Sequence, residues 1–288
     1  FRGQFATQGW EAIEEMDLLR NAPRIGKEAV DLLAAQNCPE GEFDIIIDSN
    51  QLALQVHESC GHPVELDRAL GFEAGYAGTS FLTPDKLNQY QYGSKQVNIV
   101  ADATVPGGLG TYGWDDEGVV AKKIDLIKRG KFVGYLTSRE TADEFGLPVT
   151  GAMRAQSWSH LPLIRMTNIN LLPGKWALKD LIKDTKKGLF LSTNRSWSID
   201  DKRLNFQFGT ELAQEVKNGK LGKYYKNPVY SDLTPRFWNS CDAVCNRKSW
   251  KVYGTPNCGK GEPGQVMFVG HGTSPARFRK VKIFPGRR

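Results

Sequence analysis

The 288-residue chain is poor in the features that mark membrane, secreted and nucleotide-binding proteins. No apolar run approaches the eighteen or so residues of a membrane span, and no secretory signal opens the sequence, so a cytoplasmic protein is expected. The sequence begins at Phe1 rather than Met, directly in a helical pattern, which points to a segment upstream. Cysteine is scarce: Cys38, Cys60, Cys241, Cys245 and Cys258 are odd in number, which speaks against a disulfide framework and fits reduced thiols. Cys241 and Cys245, four apart, could share a helix face and are read as core residues rather than a metal pair. Glycine is plentiful between Gly71 and Gly118, as in Pro106-Gly107-Gly108-Leu109-Gly110, but no cluster there has the strand-to-helix setting of a phosphate loop, so nucleotide binding is rejected. There is no internal repeat and no low-complexity linker.

Charge is also unevenly supplied. The net charge is +6 and the pI near 9.0, yet residues 277–288 hold six Lys/Arg and no acid, and without them the chain is neutral. An excess confined to a short basic end predicts a solvated edge strand, and no nucleic-acid motif accompanies it. Apolar content of 40% and charged content of 24% describe an ordinary soluble globular protein, long enough for one large domain or two.

Histidine is rarer still, four in the chain, and two of them stand in Gln55-Val56-His57-Glu58-Ser59-Cys60-Gly61-His62-Pro63-Val64-Glu65-Leu66-Asp67. Neutral imidazole is the commonest zinc ligand, and a carboxylate beside it can take a proton from metal-bound water, which is hydrolase chemistry. The familiar H-E-x-x-H motif sets its histidines about 40° apart around a helix, facing one ion. Here the spacing is five, which on a regular helix is roughly 140°, so the helix must be distorted if both residues bind. Gly61 is permissive, and Pro63 cannot donate to the carbonyl four residues back and pushes the residue before it out of the α region. His62 is therefore expected where the helix breaks or bulges. The alternative is an ordinary helix end, with His57 packed in the core and His62 capping the C-terminus.

Apolar spacing predicts helices over 8–20 and 26–36, broken at Asn21-Ala22-Pro23. A short buried strand over 43–48 then feeds the motif helix, capped by Ser49 or Asn50. A hairpin is expected over 119–127 and 131–137, and a helix over 138–145. Short strands at 164–171, 189–193, 204–208, 212–216 and 224–229 read as an antiparallel β-rich half, interrupted by helices near 178–185 and 235–244 and followed by strands from Ser249. The fold class expected is α+β. Exposed strand edges in such a half suit an extended peptide bound by strand addition.

Four groups of residues make the chain resemble the TldD family of zinc metallopeptidases, which includes the PmbA proteins. They are His57-Glu58-x-x-Gly61-His62 with Glu65 and Asp67; Asp115-Asp116-Glu117-Gly118 before Val133-Gly134-Tyr135-Leu136; Ser159-His160-x-Pro162 leading to Arg165-Met166-Thr167-Asn168 and Pro173-Gly174; and Cys258-Gly259-Lys260 with Gly264-Gln265. The order and spacing suit that family's C-terminal catalytic domain over most of residues 30–284. Cys60 and Pro63 depart from the family's pattern, as does 194–208, which lacks a glycine-rich run.

The resemblance implies a β-rich antiparallel metallopeptidase domain over 37–288, its motif carried on a helix, with 1–36 the helical exit of a largely missing N-terminal domain. It implies zinc held by His57, His62 and Cys258, with Glu58 as general base, and a homodimer or a heterodimer with a TldD/PmbA-type subunit, this chain being the catalytic type. The expected activity is hydrolysis of unfolded or extended peptides by Glu-activated, metal-bound water. His160, before Leu161-Pro162 on an expected loop, is the candidate second donor to the oxyanion, with a structural role as its alternative. Cys258 is expected in a tight turn between Pro256 and Gly259, and His271 at the surface. Two other classes remain, a non-catalytic zinc-stabilised binding subunit and a nucleic-acid-associated regulator using the basic end.

Overall fold

The computed structural model describes residues 3–286. Helices α1 (Glu11–Met16) and α2 (Leu18–Ala34) lead into the domain, and they part at Asp17 rather than at Asn21-Ala22-Pro23. Asp17 takes the left-handed conformation (φ 46°), which Asp tolerates better than most residues, whereas Pro23 costs α2 one backbone hydrogen bond and stays inside it. Strand β1 (Gly41–Ile47) ends in Ile45, Ile46 and Ile47, all buried, as a strand covered on both faces must be. Helix α3 (Ser49–Val56) follows at once. Its cap is Asp48, whose carboxylate accepts from Ser49 N at 2.8 Å, and not Ser49 or Asn50.

Beyond the motif, β2 (Ile99–Asp102), β3 (Lys123–Lys128) and β4 (Ile169–Leu171) form a small antiparallel sheet, with Lys131–Phe132 closing the predicted hairpin. Helix α4 (Arg139–Phe145) starts on a capping box between Ser138 and Thr141. The strand expected over 164–171 is split. Leu163–Ile164 pairs with Met153–Arg154, Ile169–Leu171 joins β2, and the four residues between turn toward the motif. Helix α5 (Leu178–Asp184) lies where it was expected.

The larger sheet is a closed ring. Strands β5 (Lys187–Ile199) and β6 (Asn205–Lys217) make a long hairpin, β6 continuing through the two short strands expected there, with a register shift at Gly209 and Thr210. Beyond β7 (Lys220–Lys226), which pairs with the second half of β6, β8 (Pro228–Leu233) pairs with the first half. Helix α6 (Thr234–Asn239) stops short, so Cys241 lies in strand β9 (Cys241–Val244) with Cys245 just beyond it. Both thiols are buried core residues, as expected, though not on a helix. Strands β10 (Lys251–Lys260) and β11 (Gln265–Thr273) form a separate hairpin. Strand β12 (Ala276–Pro285) runs between β8 and β1, and β1 pairs in parallel with β5. The path β1, β5, β6, β8, β12 and back to β1 gives each of these five strands two neighbours, while β7 lies outside it, its outer side bridged only at Tyr225 and Lys226 by Gln36 and Asn37.

The basic end is thus not an edge strand. Within β12, Arg277 is 2% exposed and bonded to Asp242 and Asp184, and Arg279 to Asp44 and Asp242. The charges of Arg277 and Arg279 are thus matched within the domain, and Arg287 and Arg288 lie outside the described residues. Among the described residues no helix is long and apolar enough to cross a membrane. The architecture is α+β with strands predominating.

Candidate metal centre

Helix α3 lies between the closed sheet and the β10–β11 hairpin. Gln51 and Gln55 bond Tyr230 of β8 on one side, and Ser49 O accepts from Thr273 of β11 on the other. Its last turns are abnormal in the way the spacing demands. Residues His57–Gly61 form a π-helical turn in which His62 N–H donates to His57 O, five residues back, and a 3₁₀ turn over His62–Val64 carries Pro63. The extra residue in the turn brings the second histidine round to the first. The ring centroids stand 4.9 Å apart, nearly perpendicular. Gly61 is required for space: a Cβ there would lie 2.1 Å from Met166 Sδ.

Cys258 reaches the same point from the hairpin. It sits in β10 at a bulge, where the register with β11 shifts between Thr255 and Cys258, and not in a tight turn. Pro256 has no N–H for the ladder, so pairing lapses there and the bulge re-aims the side chain. Ligand atoms of His57, His62 and Cys258 lie within 4.8 Å of one another, with Cys258 Sγ 3.7 Å from His62 Nε2, and all three residues are buried.

Hydrogen bonds set the tautomers. His271 Nδ1 faces the carbonyl of Ile169 at 3.3 Å and must carry a proton to bond it, so its neutral Nε2 accepts from His57 Nδ1–H at 2.7 Å. His62 Nδ1–H donates to Glu65 Oε2 at 2.9 Å. Both motif histidines therefore keep Nε2 as a lone pair, the arrangement found around protein-bound metals. Burial, reinforced by neighbouring positive charge that includes Arg203 and Arg165, holds both imidazoles well below their ordinary pKa. Burial also pushes the Cys258 thiol up to about 12. Two neutral imidazoles and a thiol that a cation can deprotonate are a donor set suited to zinc.

His271 was expected at the surface and is wholly buried behind His57. The signal was available: Met267, Val269, His271 and Thr273 alternate along β11, and that face is the buried one. A second set of partners is buried with it. Lys260, two residues beyond Cys258, meets Asp67 at 2.7 Å and Glu65 at 3.4 Å, joining the cysteine strand to the carboxylate that orients His62. Arg165 donates to Cys258 O at 2.6 Å.

Glu58 points from the π turn toward Arg203, which lies in the turn between β5 and β6 and forms an ion pair with it. Burial raises the Glu58 carboxyl above the ordinary range, against the charges of Arg203 and Arg68 and a hydrogen bond from the Trp197 indole. His160 is on a loop, its Nδ1 2.7 Å from Ser157 Oγ; none of its hydrogen bonds reaches the three-residue cluster. That loop is tied to the start of β11, Gln265 donating to Leu161 O at 2.7 Å. Cys60 is buried in the core beside Tyr92, outside the cluster.

Residues 40–283 match the family described as the PmbA/TldA metallopeptidase C-terminal domain. Among curated proteins, metalloprotease MJ0996 of Methanocaldococcus jannaschii is 34% identical over 264 residues, covering 92% of this chain and 55% of its own length. A metalloprotease of Methanothermobacter thermautotrophicus is 32% identical over 277 residues, covering 96% and 58%. The chain thus spans somewhat more than half the length of these relatives. TldE from Thermococcus kodakarensis shares the fold, with a TM-score of 0.71 at 18% identity over 91% of this chain and 55% of that one.

Proposed function

Because the chain belongs to the PmbA/TldD metallopeptidase family, we propose that it is the catalytic part of a zinc peptidase, with His57, His62 and Cys258 holding the ion and Glu58 as general base. Zinc on such a set acts as a Lewis acid and lowers the pKa of a bound water to about 7. Glu58 takes the attacking water's proton and returns it to the leaving amine. His160, expected as a second oxyanion donor or in a structural role, hydrogen-bonds Ser157 and Ser159 within its own loop, so the structural role is the one proposed. Glu65 and His271 fix the ligand rings, and the buried walls around them keep bulk water away.

One observation carries this reading: two histidines and a cysteine 196 residues beyond the second of them converge, with a carboxylate adjoining. Among the described residues three such ligands converge and not four, which favours a catalytic over a purely structural zinc. The pairing of Arg277 and Arg279 with acids likewise weighs against a nucleic-acid role. The substrate proposed is an unfolded or extended peptide, laid along the edge of β10 beyond Gly254, since Val252 O and Gly254 N are already bonded by Gln4. Residues 1–36 are proposed as the exit from a further domain, since α2 leaves Leu19, Val30 and Leu33 exposed. The working protein is proposed to be a cytoplasmic dimer, with a second copy or a TldD/PmbA-type subunit.

The test is metal analysis with peptide cleavage, with and without chelator, on the parent and Glu58→Gln. The amide keeps the shape and cannot accept the proton, so zinc should stay and turnover fall about 10²- to 10⁴-fold. Near-parental cleavage by metal-loaded Glu58→Gln would refute the assignment.

A further inference from the structure

We infer that Arg203 is a catalytic residue, whose guanidinium rests on Glu58 before reaction and bonds the substrate oxyanion during it. The inference rests on the hydrolase reading above and adds to it the group that receives the negative charge.

Charge movement gives the reason. Water's oxygen bonds the carbonyl carbon as its proton passes to Glu58, and the C=O π pair moves onto the carbonyl oxygen. The C–N bond then breaks with its pair on nitrogen, nitrogen takes the proton from Glu58, and the C=O bond re-forms. Glu58 is thus an anion before attack and neutral after it, while the carbonyl oxygen changes the opposite way. A cation within reach of both follows the charge without leaving the site, and such a donor is worth most in a buried, water-poor setting.

Arg203 meets these conditions. Its side chain is 14% exposed, at the edge of the buried cluster, and its charge bears on His57, His62 and Glu58 alike. One guanidinium N–H holds Glu58, while Nε is buried with no partner, a donor left over in the resting site. The backbone beneath it is pinned. Arg203 N donates to Asp200 O at 2.8 Å, Thr234 Oγ1 to Arg203 O at 2.9 Å, and the Asp200 carboxylate accepts from Leu204 N and Asn205 N. Asp201 O accepts from Arg68, and Lys202 O from Phe81 N. The turn cannot drift, so only the guanidinium has to shift.

Arg68 is bonded to Glu73 and to the carbonyls of Ala77, Thr79 and Asp201, and Lys260 to Asp67. Arg165 also keeps Nε and Nη1 without partners, but its third nitrogen is held by Cys258 O, and it is Arg203 that is paired with Glu58. His160 hydrogen-bonds within its own loop.

The experiment compares zinc-loaded parent, Arg203→Ala, Arg203→Lys, His160→Ala and Glu58→Gln. Arg203→Ala should keep the parent's zinc content and stay folded, with a lowered melting temperature because Glu58 loses its ion-pair partner, and lose about 10²- to 10³-fold in kcat with KM little changed. Added guanidinium ion should restore part of the loss, and Arg203→Lys should fall between. A phosphinic peptide, whose anionic oxygen stands for the oxyanion, gives a readout without turnover. In a Glu58→Gln background, removing Arg203 should weaken its binding by the same factor, measured by calorimetry. Unchanged phosphinic-peptide affinity would reduce Arg203 to a holder of Glu58 and overturn the inference. So would a kcat for Arg203→Ala within tenfold of the parent, or a loss carried by His160→Ala instead. A zinc-loaded parent no more active than Glu58→Gln would instead overturn the hydrolase reading itself.

Discussion

Replacing His271 by phenylalanine tests the proposed zinc site without touching a ligand. The ring is wholly buried, accepts from His57 Nδ1–H at 2.7 Å and donates to Ile169 O at 3.3 Å. Phenylalanine fills similar space and offers neither bond, so a buried N–H on His57 is orphaned, at a cost of about 1 to 3 kcal/mol. Losing such an outer partner typically weakens metal binding 10- to 100-fold, about 1.4 to 2.7 kcal/mol, in the same range. Zinc affinity, measured by competition with a chromophoric chelator at fixed pH, should fall by that factor. His271→Gln, whose carbonyl can still accept from His57, should lose less. Parental zinc affinity in a folded His271→Phe protein would show that His57 is not held through its Nδ1, and the tautomer assignment would fail with it.

Cys258→Ala should lose much of its zinc and nearly all activity while remaining folded, whereas Cys60→Ala, Cys241→Ala and Cys245→Ala should keep the metal. Equal zinc content across the four would remove Cys258 from the ligand set. Gly61→Ala forces a methyl against Met166 Sδ and should cost about 1 to 3 kcal/mol in stability, read from denaturant midpoints, with Met166→Ala relieving part of it. An unchanged midpoint would mean the π turn is looser than described. Arg277→Ala leaves Asp184 without this partner and Asp242 with Arg279 alone; because the two carboxylates are 47% and 35% exposed, it should cost about 1 kcal/mol. If it altered DNA binding and left stability untouched, the basic end would be a surface after all.

What could be seen in the sequence was local. Five-residue spacing with Gly61 and Pro63 requires a distorted helix, and a π turn followed by a 3₁₀ turn is what forms. The short buried strand expected over 43–48 forms as Gly41–Ile47, and the helix expected over 138–145 as Arg139–Phe145. Closure of the sheet was not visible, because it depends on β12 meeting β1 across most of the chain, and a basic segment read alone looks like a solvated edge. Asp242, Asp184 and Asp44, the acids that neutralise that segment, come from three distant places. Cys258 entered through resemblance alone, and its bulge depends on pairing with β11. Nothing in the sequence singles out Arg203 within 194–208; only the fold sets it against Glu58.

The placement of β12 has a consequence for synthesis. Strand β1 leaves the ribosome long before its antiparallel neighbour, which occupies residues 276–285, with Ile45, Ile46 and Ile47 needing cover. Until that stretch emerges, β1 and β8 each wait with one unsatisfied edge, the condition in which nascent chains pair wrongly or need a chaperone. A translation product halted before Ala276 lacks the stave that closes the barrel, although it already contains both motif histidines and the cysteine. Such a product should be seized by proteases, so the cell would enforce completeness through one late strand.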